Sequence, residues 1–118
     1  MFFLYAMGSS NILSHYDFIK EVKNCKSKTR NKYLSKASPA QIRSLCECVH
    51  NVYSGSVPVT SQIVEKLRPY AKDIKRLTYK RGKAECKRKY LIQKGGFLPI
   101  LLGAVLPILG QLVVNAIS

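Results

Sequence analysis

The chain has 118 residues, and its 20 Lys and Arg against 6 Asp and Glu give a formal charge of +14. That length allows one small domain with appendages and excludes two, while a charge of this size speaks of binding partners and not of fold. The carboxylates are scattered singly, and His15 and His50 have no partnered nucleophile, so no catalytic constellation and no cofactor are expected.

Every charge falls between residues 1 and 94, and residues 95–118, GGFLPILLGAVLPILGQLVVNAIS, carry none. This division suits a protein that meets a polyanionic surface with one part and an apolar or lipid surface with the other. It predicts three segments: an N-terminal helix and basic linker over 1–33, a basic helical body over 34–94, and a hydrophobic tail over 95–118.

The apolar run Phe2–Met7 lacks a basic flank and is shorter than the ~7–15-residue core of a signal peptide, so it reads as a packing segment. Ile12, Leu13, Tyr16, Ile19 and Val22 recur at helical spacing and predict a first helix near 11–24. Asn24 to Lys36 is basic and polar, and reads as loop or weak helix. A strong start follows: Ser38 can cap, Pro39 takes the first helical position, and Gln41 completes a capping box. Ile42, Leu45, Cys46, Val49, Val52 and Tyr53 form the stripe of that helix, which Gly55 should stop.

Thr60 predicts the cap of a short helix carrying Ile63, Val64 and Leu67, which Pro69 ends or kinks. Tyr70, Ile74 and Leu77 extend a stripe to about Tyr79. Gly82 breaks the chain again, and Lys83 to Gln93 forms a basic helix. No strand pattern or repeat occurs, so the fold class is all-α: a small bundle of short helices, one of them basic, with a C-terminal hydrophobic helix interrupted by Pro and Gly.

The positive charge is clustered. Residues 20–36 hold seven Lys/Arg against Glu21, and residues 72–94 hold ten against Asp73 and Glu85, a local +8. Salt-bridged helix faces would show interleaved Glu, which these lack. Phosphate contacts need only cations at adaptable spacing, so the pattern predicts sequence-independent binding of double-stranded DNA, with lipid headgroups as the other polyanion. The candidate contacts are Lys72, Lys75, Arg76, Lys80, Arg81, Lys83, Lys87, Arg88, Lys89 and Lys94. A helix-turn-helix is not expected, because Gly55 to Thr60 is long for its turn and contains Pro58.

Cys25, Cys46, Cys48 and Cys86 include no C-x-x-C pair. On a helix, Cys46 and Cys48 point about 200° apart, so zinc binding is not expected and the thiols read as small reduced core residues.

Phe97 to Ile117 would form a helix ~31 Å long, about one hydrocarbon core. Its membrane-facing or docking residues are Phe97, Leu98, Pro99, Ile100, Leu101, Leu102, Val105, Leu106, Pro107, Ile108, Leu109, Leu112, Val113 and Val114. Pro107 should kink it, and Gly96, Gly103 and Gly110 recur every seventh residue, which suits membrane disturbance or helix packing more than plain anchoring. The body offers too little apolar surface to bury an all-round apolar helix, so a core role is not expected. The rival reading is a tail-anchored single-pass membrane protein whose basic body lies in the cytoplasm, as the positive-inside rule favours.

At the junction, Lys87-Arg88-Lys89-Tyr90-Leu91-Ile92-Gln93-Lys94-Gly95-Gly96-Phe97-Leu98-Pro99 resembles the C-terminal part of adenovirus core protein X, the mu precursor. Lys36-Ala37-Ser38, the Cys-bearing helix and Leu67 to Tyr70 are similar to the X-like proteins of adintoviruses and Maverick/Polinton elements. The resemblance covers about residues 34 to 118. It implies a virion core or minor capsid protein that binds packaged DNA, resides in the virion core and host nucleus, and is not an enzyme. It also implies a processing site for a viral cysteine protease at Gly95 and Gly96, although Gln93 stands where that pattern has Met, Ile or Leu.

Overall fold

Local chemistry sets four of the helix ends in the computed structural model, which describes residues 10–55, 57–78 and 83–117. The helices are α1 Ser10–Ser14, α2 Tyr16–Asn24, α3 Ser27–Lys36, α4 Pro39–Tyr53, α5 Ser61–Leu67, α6 Ala71–Leu77, α7 Ala84–Lys94 and α8 Leu98–Ile117. Two 3-10 turns, Arg68–Tyr70 and Gly95–Phe97, join α5 to α6 and α7 to α8. No strand occurs among the described residues, so the class is all-α.

The capping box at α4 is complete: the Gln41 N–H donates to Ser38 Oγ at 3.1 Å, and the Ser38 N–H donates to Gln41 Oε1 at 2.9 Å. Gly55 ends α4 with φ of 82°, a left-handed conformation that a Cβ would oppose. The Thr60 hydroxyl caps α5 by accepting from the Ile63 N–H at 3.3 Å. Pro69 lacks the N–H that α5 would need to continue, so the chain tightens into the 3-10 turn. Phe2–Met7, Tyr79 and Gly82 lie outside the described residues.

One expectation is corrected, and of two alternatives one is selected. The first helix is broken at His15, whose N–H donates to the Ile12 carbonyl at 3.1 Å before α2 begins. The polar stretch 24–36 is mostly helix, since α3 buries Leu34 and Arg30 against its neighbours, and packing supplies what propensity lacks. The boundary expected at 33/34 therefore falls inside α3.

The largest correction concerns the tail. Phe97, Leu98, Leu101, Leu102, Val105 and Leu109 are fully buried in one core with Ile19, Leu34, Leu45 and Leu91. Pro99, Ile100, Leu106 and Ile108 are half-buried, and Pro107 alone among the expected docking residues with described side chains is exposed. The side chains of Leu112, Val113 and Val114 lie outside the described residues. Helix α8 packs on α1, α2, α4 and α5, so the body is not short of apolar surface: several short stripes, each too small alone, converge on one central helix. The Cα radius of gyration is 13.3 Å. That is the ~13.5 Å of a compact chain this long, with no room for a projecting rod of ~30 Å.

The heptad glycines have unequal roles. A Cβ on Gly110 would lie 3.3 Å from the Tyr16 hydroxyl and one on Gly103 3.8 Å from Lys23 Cε, so these two form the seat of α2. Gly96 faces the Tyr70 ring instead, at 3.9 Å. Pro107 sits within α8, which continues past it to Ile117.

Candidate nucleic-acid interface

Helix α7 joins the two basic stretches of the sequence. It packs beside α3, which carries exposed Lys28, Lys32 and Lys36. On α6, Asp73 Oδ1 accepts from the Tyr90 hydroxyl of α7 at 2.6 Å, and the Arg76 guanidinium lies 5.3 Å from the Tyr90 ring centre. This bond holds Tyr90 above the usual tyrosine range, chiefly because ionisation would remove the proton donated to Asp73; desolvation and the Asp73 charge act the same way, against Arg76. Segments far apart in the chain thus form adjoining basic helices.

Of the expected DNA contacts, Lys72, Lys75 and Arg76 on α6 and Lys83, Lys89 and Lys94 at α7 are exposed. Lys80 and Arg81 lie outside the described residues. Lys87 is half-buried and lines a cavity of about 260 Å³ with Arg43, Glu47 and His50.

Arg88 is a correction. It is only 9 % exposed; Nη1 donates to the Leu34 carbonyl at 2.6 Å, and Nε lies 3.2 Å from both Glu85 carboxylate oxygens. Leu34 lies in the last turn of α3, where its carbonyl accepts only a 3.3 Å bond from the Ala37 N–H of the cap, so a guanidinium is favoured there by hydrogen bonding and by the helix dipole. Arg88 holds α7 to α3 and is not placed to meet a phosphate.

Lys20, Lys26, Lys28, Lys32 and Lys36, which are not among the contacts expected from sequence, are all exposed. Their signal was the density of cations over 20–36; only the packing of α3 on α7 brings Lys28, Lys32 and Lys36 to the basic helices. Six carboxylates cannot neutralise twenty cations. Glu65 and Glu85 are engaged by Arg68 and Arg88, and Asp73 by Tyr90.

The thiols of Cys46 and Cys48 are buried in α4 and raised to about 11 and about 12, chiefly by burial; Glu47 raises both, while Lys87 lowers Cys46. Cys25 is half-buried and Cys86 exposed. Among the described residues, no three His, Cys, Asp or Glu are placed to hold a metal.

Gly95 and Gly96, the implied processing site, lie in the 3-10 turn between α7 and α8, with Gly95 buried and Gly96 exposed. The Phe97 and Tyr70 rings lie 6.1 Å apart beside this turn.

No protein-family model matches the chain, and no curated protein and no solved structure is similar enough to it to carry an inference.

Proposed function

We propose that this chain is a DNA-associated structural protein that binds duplex DNA without sequence preference through the basic helices α3, α6 and α7. The observation that carries the proposal is the set of exposed cations on these adjoining helices, in a chain whose carboxylates are too few to neutralise them. Lysines on flexible stems suit phosphates at variable spacing better than base edges, which are read by side chains held in a fixed geometry. The resemblance to adenovirus core protein X supports a place in a virion core or minor capsid. Binding measured by fluorescence anisotropy should be equal for unrelated duplexes. For about six phosphate contacts, log K should fall with log salt at a slope of about −5. A slope near zero, or a strong preference for one sequence, would overturn the proposal.

A tail-anchored membrane protein is the second reading. The helical stretch from Ala84 to Gln111 is long and apolar enough to cross a membrane, a test that core helices also pass. It requires α8 to leave the core, where Leu101, Leu102 and Val105 are fully buried.

A further inference from the structure

The tail helix is engaged in the core, yet the surface retains an apolar groove elsewhere. Of the large hydrophobic side chains that stay exposed among the described residues, Tyr33, Tyr53 and Val64, two stand on this groove, at 51 % and 42 % exposure. Val52 and Val59 complete its walls, and the buried side chains of Leu67 and Ile74 form its floor. Its volume is about 280 Å³, near the lower bound of ligand pockets and suited to one or two apolar side chains.

The rim is basic. Arg68 lines the groove, and Lys66, Lys72 and Lys75 are exposed on the same two helices, α5 and α6. Both carboxylates of this stretch are engaged, Glu65 by Arg68 and Asp73 by Tyr90. A second copy of the chain would bring another +14 toward this rim and be repelled. A lipid surface is flat, whereas the apolar surface here is concave.

We propose that the groove between the end of α4 and the α5–α6 segment is a docking site for an acidic amphipathic helix of another protein. The partner's apolar stripe would enter between Tyr53 and Val64, and its carboxylates would meet the basic rim. This is the helix-in-groove mode, with two residues of an i, i+4, i+7 stripe seated in the groove and the third against its edge. It places protein docking on the body and does not require the DNA reading, although Lys72 and Lys75 are common to the rim and to the candidate DNA contacts.

The test uses the full chain and a labelled helical peptide with leucines at i, i+4 and i+7 and glutamates on its other faces. A peptide of identical composition with the leucines scattered around the helix is the control, because both carry the same charge. The chain should bind the striped peptide roughly tenfold more tightly, a gain of about 1.4 kcal/mol. Val64→Gln and Tyr53→Ala should erase that preference while leaving duplex DNA binding unchanged. Amide NMR shifts should gather at Val52, Val59, Val64 and Ala71. Equal binding of the two peptides, or shifts confined to α3 and α7, overturns the proposal. So does binding of phosphatidylserine vesicles, but of neither peptide, that Val64→Gln abolishes, which would make the patch a lipid contact.

Discussion

The Arg88 guanidinium donates to the carbonyl of Leu34, 54 residues earlier, at 2.6 Å, and so joins the two basic stretches of the sequence. One cation of the +8 segment is thereby a structural clamp, although its sequence neighbours Lys87 and Lys89 are not.

Arg88→Ala and Lys89→Ala should separate stability from binding. Loss of a buried charge-assisted hydrogen bond should cost about 2 kcal/mol, read as a lower urea midpoint for Arg88→Ala. Lys89→Ala should leave the midpoint unchanged and make the DNA salt slope shallower by about one. Arg88→Lys should not restore stability, since an ammonium cannot reach Leu34 and Glu85 with the same fork. Equal midpoints for Arg88→Ala and the parent would remove the clamp from the account.

Burial of α8 fixes the expected cost of trimming it. Leu102→Ala should destabilise the chain by about 2–5 kcal/mol in denaturant titration, because a cavity is left among fully buried neighbours. With α8 in the core, the folded chain should not release dye from liposomes. Leakage should rise with the unfolded fraction as urea is added, whereas a peptide of residues 95–118 should leak dye without urea. Leakage by the fully folded chain would favour the membrane reading.

The glycine seat of α2 supports a double-mutant cycle. Gly103→Ala should stabilise the chain by about 0.5–1 kcal/mol, since its Cβ would make ordinary contact at 3.8 Å and Ala favours a helix interior. Gly110→Ala places a Cβ 3.3 Å from the Tyr16 hydroxyl, so the effect should shrink in a Tyr16→Phe background. Additive effects would show that Tyr16 is not what limits the position.

The joint at Gly95–Gly96 should resist proteolysis in the folded chain. Proteases bind extended backbone, and here a 3-10 turn with Gly95 buried connects two helices. Mass spectrometry after incubation with a Gly-Gly-directed cysteine protease should find cleavage after Gly96 only where urea opens the fold. Rapid cleavage of the native chain would mean that the α7–α8 joint opens readily.

Alkaline pH should destabilise the fold through Cys46 and Cys48. Their thiols ionise near 9.0 when unfolded but at about 11 and about 12 when buried, so above pH 9.0 the unfolded state loses protons first and is favoured. The contribution is whole below pH 9.0 and is lost as pH climbs toward the folded values. Replacing both with Ala should flatten the fall in urea midpoint over pH 9–11. In the native chain, alkylation should reach Cys86 well before Cys46 or Cys48.

Residues a turn or two apart carried the legible part of this fold. Ser38 with Gln41, Thr60 with Ile63, Gly55 at positive φ and Pro69 without its N–H act through bonds that close within four residues, so the sequence alone determined those helix ends and the all-α class. It also determined the charge excess, which no folding can remove. Tertiary structure decided the rest. Whether an apolar helix crosses lipid or fills a core depends on the apolar surface that other helices bring together, and Ile19, Leu34, Leu45 and Leu91 meet α8 only once folded. The roles of Arg88 and of the Tyr53–Val64 groove were hidden for the same reason: their partners are distant in sequence and adjacent only in space.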